Sequence, residues 1–456
     1  MRGPAAGCAP DVIVAGGGFA GLSAATALVE AGARVTLLEA RPYLGGRARS
    51  WIDPDTGSSV DNGQHLFMGC YRETLRFLDR IGARDRLMLQ PRLQLPFVER
   101  GGRAGLFRMP GGPAAWAALV GLFGFPGLGW RDRFALLRMG REVRRRSPPA
   151  QPPDALDHLT VEQWLDATGQ PPETRRRLWH PLAIAALNEE PARASAAMLL
   201  PVVREALLGG ADGARLGIAR VGLSDLYAEP AARYLKGHGC DLRLRTPVRG
   251  LLMESGRCCG VRLADGGSLA GGAVISGVPP AELADLLGSQ TAGDRFFAPA
   301  QRLETVPIVS VYLWFGAPVI DRPFAGLLGG TWEWIFDRRM IGGRAGAQYG
   351  VTLVRSAARD LVDRPREALV RSALDDLHAF FPESRRAAPR QTLVIKERRA
   401  TISPAPGSMA LRLPTVTPID RFLLAGDWTS TGLPATIEGA VLSGHRCAAR
   451  LRGTPA

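Results

Sequence analysis

The sequence predicts an α/β fold in which a Rossmann-like dinucleotide-binding domain carries an inserted α+β substrate domain. Three observations predict it: a strand, glycine-rich turn and helix near the start, a second strand and helix near the end, and a stretch between them that changes from helical to aromatic β-strand patterns. The 456 residues also exceed what one hydrophobic core usually holds. Two domains are therefore expected.

The first observation is the stretch 11–47, which reads DVIVAGGGFAGLSAATALVEAGARVTLLEARPYLGGR. The apolar run Val12–Ala15 predicts a buried strand of a parallel sheet. A G-x-G-x-x-G turn follows, whose glycines permit a tight turn, the approach of a pyrophosphate, and close packing of the helix on the strand: Gly16, Gly18 and Gly21. Phosphate would then bind N–H groups at the start of the predicted helix, where Phe19 and Ala20 stand.

The second predicted strand, 34–38, ends at Glu39 and Ala40, where a carboxylate binds both hydroxyls of a ribose. Closely after it, Gly45, Gly46 and Arg47 form a turn that adds backbone donors and a fixed cation beside the same pyrophosphate. This turn favours an FAD/NAD(P)-binding domain that holds FAD over one that holds NAD. The alternative is a Rossmann-like unit that binds no dinucleotide.

The last segment of the sequence also combines a strand, a glycine with an acidic residue, and a helix. The apolar strand 421–425 ends in Gly426 and Asp427, which suit the ribityl and phosphate region of a flavin, and a final helix begins around Thr436 and Ile437. A helix N-terminus aimed at the ring would stabilise the negative charge of the reduced flavin. The alternative is an ordinary C-terminal helix that packs on the sheet.

His65 is the candidate catalytic residue of the stretch 51–100. It lies in a predicted strand, Val60–Phe67, beside an unusually polar group, and a helix is predicted after it from Tyr71 to Ile81. Two interpretations remain open: a hydrogen-bonded core histidine, or a group beside the cofactor ring.

The stretch 109–146 combines an uncharged segment, Met109–Trp130, with a series of arginines after it. Prolines and glycines break any continuous helix in the uncharged part, so it does not predict a membrane-spanning helix. An apolar patch rimmed by arginine suits a peripheral contact with one leaflet of a membrane. A helical lid on the substrate domain is the alternative.

The inserted region begins with helices. Residues 160–163 form a capping box that opens a helix, and two more helices are predicted at about 173–187 and 194–208. Aromatic strands follow at 308–316 and 331–337, and their large rings either line a pocket or simply form core: Trp314, Phe315, Trp332, Trp334 and Phe336.

Composition narrows the partners and the compartment. The net charge is +14, but of 57 basic residues only Lys236 and Lys396 are lysine, which indicates composition bias rather than a nucleic-acid surface, so no nucleic-acid partner is expected. The six cysteines have no metal-ligand spacing, so no metal is expected, and the first strand begins too early for a signal peptide. We expect a cytoplasmic protein, with a peripheral position on the inner face of the cytoplasmic membrane left open.

These motifs together carry a resemblance that runs from about residue 11 to 450. AGGGFAG, Glu39, GGR, GDW and PATIEGAVLSG resemble the flavin amine oxidase and phytoene desaturase superfamily. The stretches VDNGQHLFMGCYRETLRFL, PLAIAALNEEPARASA, PIVSVYLWF and GGTWEWIFDR resemble, more specifically, the squalene-associated FAD enzymes of bacterial hopanoid synthesis, the hydroxysqualene dehydroxylases.

The resemblance implies an FAD domain made of 11–95, 215–290 and 397–452, and a substrate domain made of 96–214 and 291–396. Val248 would reach the adenine through its backbone, and Asp427 and Ile437 would hold the flavin end. Amine oxidases of this superfamily commonly place a lysine near the flavin, and neither lysine of this chain falls in the corresponding region near 300–310. Amine oxidation is therefore disfavoured.

The implied reaction is reductive. Hydroxysqualene would lose its hydroxyl as water, reduced flavin would supply a hydride, and His65 would be the general acid. The electron donor that reduces the flavin is not identified by the sequence. Two alternatives remain: a phytoene or carotenoid desaturase, and a non-enzymatic isoprenoid-lipid-binding protein on the same fold.

Overall fold

The computed structural model describes residues 10–110, 120–121, 123–125, 127–146, 155–205, 210, 212–292, 294–339 and 349–453. Its strands are β1 Val12–Ala15, β2 Val35–Leu38, β3 Ser50–Ile52, β4 Ser59–Asp61, β5 Phe67–Met68, β6 Leu87–Leu89, β7 Gln94–Glu99, β8 Ala104–Arg108, β9 Leu216–Ala219, β10 Asp241–Arg243, β11 Val248–Glu254, β12 Arg257–Leu263, β13 Ser268–Ala270, β14 Ala273–Ser276, β15 Thr305–Phe315, β16 Phe324–Leu328, β17 Trp334–Asp337, β18 Tyr349–Arg355, β19 Gln391–Ile402 and β20 Phe422–Leu424.

The helices, omitting short 3-10 turns, are α1 Phe19–Glu30, α2 Arg72–Arg80, α3 Trp130–Arg145, α4 Val161–Ala167, α5 His180–Leu187, α6 Ala196–Val203, α7 Glu229–Gly237, α8 Pro280–Ala292, α9 Arg366–Phe380 and α10 Ile437–Leu451. A helical turn at Pro172–Thr174 and a π-helical segment at Arg175–Trp179 lead directly into α5, and a second π-helical segment, Ser224–Ala228, leads into α7. The backbone of α8 breaks at Gly288, where φ is 74°.

A parallel sheet in the order β10-β2-β1-β14-β20 organises the first part of the fold. Strands from the beginning, middle and end of the chain meet in it, so their carboxyl ends lie along one edge, where open α/β sheets bind ligands. Helices α1 and α10 pack closely: a Cβ on Gly444 of α10 would lie 2.2 Å from the carbonyl oxygen of Ala20. A glycine is needed at that crossing.

A mixed sheet in the order β19-β15-β18-β17-β16-β7-β8 forms the second part. Its strands alternate between two environments, as the twofold period of a strand requires. On one face, Val311 and Ile335 pack with α9 in a closed core. On the other, Trp334 and Phe336 face the helices of residues 120–205. Strand β19 crosses residue 397, the predicted boundary between the two domains.

The predicted helices of the insertion are present in the described residues. Thr160 accepts from the N–H of Gln163, and the Gln163 side chain accepts from the N–H of Thr160, which confirms the capping box. The predicted helix 194–208 begins at Ala196 and is described to Val203, and residues 206–208 lie outside the described residues.

One predicted strand, Val60–Phe67, is wrong. Residues 59–61 pair with β3, residues 67–68 pair with β9, and the chain turns between them. The physical reason is local: Asn62 and Gly63 favour a turn, and the Asn62 side chain donates to the backbone oxygen of Arg47 at 3.0 Å. His65 consequently stands on this turn and not in a strand.

Candidate active site

A cavity of about 1430 Å³ joins the two parts of the fold. It runs from the carboxyl edge of the parallel sheet to the inner face of the mixed sheet. Pockets for one small molecule usually measure ~300–1,000 Å³. The cavity therefore has room for a dinucleotide and a second, apolar ligand.

One end of the cavity is organised by Glu39. Its carboxylate accepts from the N–H groups of Gly17 at 2.7 Å and Arg41 at 2.8 Å, so it is fixed at the end of β2. Ala40 and Val248 line the cavity beside it. A fixed carboxylate at this point of a parallel sheet is suited to a ribose, so this end fits the adenosine half of FAD.

The middle of the polar half is a cradle of backbone atoms. A Cβ on Gly18 would meet only the Cα of Gly46, at 4.0 Å, so the two glycines face each other closely with no side chain between them. Gly18 begins α1 and no side chain caps the helix, so the first N–H groups of α1 are left for a ligand. A pyrophosphate fits this cradle by charge and by space.

Gly21 has a different role from its neighbours. A Cβ there would lie 1.9 Å from the carbonyl oxygen of Gly16, so Gly21 permits the helix to pack on the turn. It is the one predicted cofactor residue that does not line the cavity. The predicted residues that do line it are Gly16, Gly18, Phe19, Ala20, Glu39, Ala40, Gly45, Gly46, Arg47, Val248, Gly426, Asp427, Thr436 and Ile437.

The flavin end is closed by an ion pair between the first and last segments. Arg47 Nη2 lies 2.6 Å from Asp427 Oδ1, and Arg47 Nη1 donates to the carbonyl of Ala400 at 2.9 Å. The Asp427 carboxylate raises the pKa of Arg47. Thr436 caps α10 by accepting from the N–H of Gly439 at 3.2 Å, and Ile437 follows it into the cavity. Asp427, Thr436 and Ile437 fit the flavin end of FAD, and the ion pair ties Arg47, the cation predicted beside the pyrophosphate, to that end.

His65 lines the cavity where the two halves meet: the charge of Arg47, from the polar half, acts on its ring, and the next residue, Leu66, packs against the apolar cluster. Its Nδ1 lies 2.8 Å from the carbonyl of Gly63, which makes Nδ1 the protonated nitrogen of the neutral ring and leaves Nε2 as an acceptor. Burial lowers the pKa of His65. A general-acid role therefore requires the ring to take up a proton against this environment.

The polar neighbours of His65 are engaged elsewhere. The Asp61 carboxylate accepts from Ser50 at 2.7 Å and from the N–H of Leu223 at 3.1 Å, and it pairs with Arg338 at 3.2 Å. It is a structural anchor between β4 and its surroundings. Among this polar group, His65 and the amides of Asn62 and Gln64 line the cavity.

The other half of the cavity is apolar. Of the five predicted aromatic residues, Trp334 and Phe336 line it, whereas Phe315 and Trp332 pack beneath α9 and Trp314 stacks on Tyr312. Further lining residues come from the strands and helices around the mixed sheet: Leu93, Leu95, Phe97, Phe107, Phe125, Leu178, Leu182, Ile308 and Val354. Such a surface suits a long hydrocarbon.

Sequence reasoning missed several residues of the wall. Glu438 lines the cavity and accepts from the N–H groups of Glu73 and Thr74, both at 2.9 Å, so it ties α10 to α2. Burial raises the pKa of Glu438. Its place in the first turn of the final helix was a usable signal. Phe97, Phe107 and Phe125 carried none, because they lie far apart in the sequence.

Comparisons with known proteins give a matching family model, relatives of similar sequence and solved structures of similar fold. Residues 19–452 match the model of the flavin containing amine oxidoreductase family. A hydroxysqualene dehydroxylase of Sinorhizobium fredii is 33% identical, with 96% of this chain and 97% of the relative covered. A 15-cis-phytoene desaturase of Solanum lycopersicum is 25% identical over 96% of this chain and 77% of its own length.

A putrescine oxidase triple mutant of known structure is 18% identical and has a TM-score of 0.75, with 97% of this chain and 99% of that chain covered. This likeness confirms the predicted α/β fold. The match to a flavin-containing family confirms the predicted FAD cofactor and the domain that binds it.

Proposed function

This chain belongs to the family of flavin-containing amine oxidoreductases and is an FAD-dependent oxidoreductase, and we propose that it converts hydroxysqualene to squalene. The observation that carries the proposal is that one continuous cavity contains both a dinucleotide cradle and an apolar, aromatic-lined chamber. The similarity to a hydroxysqualene dehydroxylase over nearly the full length of both chains selects this substrate among isoprenoid lipids.

The reaction replaces a C–O bond by a C–H bond. The hydroxyl leaves as water after taking up a proton, and bound FAD, when reduced, supplies the hydride and is oxidised. The protein's role in this step is to exclude water and to place aromatic rings, such as those of Trp334 and Phe336, against the electron-poor carbon. An allylic cation survives only in such a setting.

His65 is the proton donor in this proposal. It lies where the polar and apolar halves meet, and the Gly63 carbonyl fixes its ring through Nδ1, so that Nε2 is available to the leaving hydroxyl. Because burial lowers the pKa of His65, the protonated ring is a stronger acid there than an exposed histidine is. It therefore gives up its proton readily once charged.

A second candidate function is desaturation of phytoene or a related carotenoid precursor. The 25% identity to a phytoene desaturase and an apolar chamber open to any long isoprenoid favour it. It runs in the opposite redox direction, since the lipid is oxidised and the flavin reduced. The two functions therefore differ in which redox state of the enzyme reacts with lipid.

We also propose that the substrate reaches the chamber from a membrane surface. Trp130 and Phe134, one turn apart on α3, are 68% and 64% exposed, and arginines stand on the same helix. Phe125, five residues before Trp130, lines the chamber. Within the described residues no helix is long and apolar enough to cross a membrane, and residues 111–119, 122 and 126 of this region lie outside them.

An anaerobic experiment tests the proposed function. The purified enzyme is reduced with dithionite, hydroxysqualene is added, and flavin absorbance and lipid products are followed together. We expect reoxidation of the flavin with a matching amount of squalene. A reduced enzyme that stays reduced with hydroxysqualene, while the oxidised enzyme bleaches with phytoene, would establish the desaturase instead.

A further inference from the structure

Arg412 is a buried arginine behind the wall of the cavity. It is 8% exposed and does not line the cavity itself. Its Nε donates to the carbonyl of Trp428 at 3.3 Å, its Nη1 to the carbonyl of Leu433 at 2.5 Å, and its Nη2 to the carbonyl of Asp427. The planar fork of the guanidinium therefore holds the loop that leads from β20 to the N-terminus of α10.

The charge of Arg412 has no ion-pair partner among the described residues. The carboxylate that acts on it most directly, that of Asp427, is already paired with Arg47 at 2.6 Å. Burial lowers the pKa of Arg412 to about 10, so the group is still charged at neutral pH. A buried charge without a partner is costly, and an anion that binds nearby reduces the cost.

The position of Arg412 indicates which anion this is. All three carbonyls that it binds lie in the loop 427–433, which runs directly into Thr436 and Ile437 at the flavin end. The fixed carboxylate of Glu39 marks the opposite, adenosine end. The charge of Arg412 therefore lies on the side of the cavity where the flavin end of FAD would bind, away from the adenosine end.

We propose that Arg412 stabilises the negative charge that the flavin ring acquires on reduction, and so raises the reduction potential of the bound FAD. It is a positioning residue, since it acts through the loop 427–433 and across it. The N-terminus of α10 contributes in the same direction. The inference rests on the FAD of the proposed function but not on the lipid substrate.

The test compares two variants of the holoenzyme. Arg412→Gln removes the charge but keeps donors for the carbonyls, and Arg412→Lys keeps the charge but loses the fork. The midpoint potential of bound FAD and the dissociation constant of oxidised FAD are measured for each. We expect Arg412→Gln to lower the equilibrium constant for reduction of bound FAD at least tenfold, which lowers the midpoint potential by ~30 mV for a two-electron couple. In Arg412→Lys this equilibrium constant should stay within threefold of the wild-type value.

Two results would overturn the proposal: equal potential shifts in both variants, or an unchanged potential in Arg412→Gln together with weaker binding of oxidised FAD. Either would make Arg412 a scaffold of the loop alone. If Arg412→Gln does not fold, the midpoint potential of FAD in Arg412→Lys is measured against pH, because a buried lysine loses its charge at a lower pH than a free one. We expect the potential in Arg412→Lys to fall below that of the wild type as pH rises. Parallel curves of potential against pH in the two proteins would reject the proposal.

The failure of this inference and that of the proposed function are distinguishable. A yellow enzyme that is inert to hydroxysqualene would remove the proposed function and leave the potential measurements intact. Turnover of hydroxysqualene by the wild type, with the same flavin potential in the variants as in the wild type, would support the proposed function and reject the role of Arg412.

Discussion

The two halves of the cavity are built on different principles. The dinucleotide half is made largely of backbone: facing glycines, helix N-termini, and one ion pair, Arg47 to Asp427, that joins the ends of the chain. The lipid half is made of side chains. They point into the cavity from the strands of the mixed sheet and from the segments packed on it, as Phe97, Phe125 and Trp334 do. In the first half an added atom is excluded at particular backbone positions such as Gly21, whereas the second half tolerates changes of side-chain shape at a cost in affinity.

The largest effect is expected in the dinucleotide half, from Gly21→Ala. The added Cβ would lie 1.9 Å from the carbonyl oxygen of Gly16, a contact that only backbone movement relieves. We expect loss of bound FAD and a loss of about 3 kcal/mol or more in the free energy of unfolding. Flavin absorbance and denaturant unfolding measure both.

Gly140→Ala is the matched control. Gly140 lies within α3 with open space around its Cα, so alanine there should retain FAD and add about 0.5–1 kcal/mol to the stability. If Gly21→Ala retained FAD as Gly140→Ala does, the backbone cradle would not be the basis of cofactor binding.

The second effect is expected where the halves meet, from His65→Gln. FAD should stay bound while kcat falls about 10²–10⁴-fold, the usual contribution of a general acid. Because burial lowers the pKa of His65, the wild-type rate should rise as pH falls through a midpoint below the ordinary value for histidine. The variant should lack this acid limb. An unchanged rate and pH profile would remove His65 from the mechanism.

In the lipid half, two neighbours on β17 distinguish a side chain that lines the cavity from one that does not. Phe336 lines the cavity and Ile335 packs on the opposite face, in the core under α9. We expect Phe336→Ala to raise KM for hydroxysqualene about tenfold, or ~1.4 kcal/mol of lost binding, with FAD affinity unchanged. Ile335→Ala should lower the free energy of unfolding by about 2–5 kcal/mol with KM unchanged. Identical KM values in the two variants would mean that the face of the strand does not matter.

The smallest effect on chemistry is expected from the exposed aromatic pair. The double substitution of Trp130 and Phe134 by serine should weaken binding to anionic lipid vesicles about tenfold and leave kcat in detergent unchanged. Ile52→Ser, which removes a 57% exposed side chain elsewhere, is the control and should bind vesicles like the wild type. Equal vesicle binding by all three proteins would exclude this surface as a membrane contact.

The sequence predicts the dinucleotide half of the cavity better than the lipid half, because the first is built from backbone and the second from side chains. Glycine spacing and an acid at a strand end specify a backbone shape locally, so the cradle from Gly16 to Arg47 could be predicted from one stretch. Both faces of the mixed sheet are covered, so an aromatic side chain on one of its strands is buried whichever face it occupies. Register and the position of α9 decide that Phe336 faces the cavity and Phe315 does not, and neither is a local property.

Other parts of the site were out of reach for a related reason. Arg412 precedes the loop that it holds, and its partners are backbone carbonyls that leave no mark in the sequence. The turn that carries His65 was signalled by Asn62 and Gly63, but the apolar residues on either side favoured a continuous strand. Short-range turn chemistry outweighed that apolar pattern.

The account depends on the two halves acting as one site, and isotope transfer tests this most directly. The enzyme is reduced in D2O, mixed anaerobically with hydroxysqualene for one turnover, and the squalene is analysed by mass spectrometry. Because the transferable hydrogen of reduced FAD comes from solvent, the account predicts one deuterium in each squalene formed. Squalene without deuterium, or reoxidation of the flavin without squalene, would contradict it.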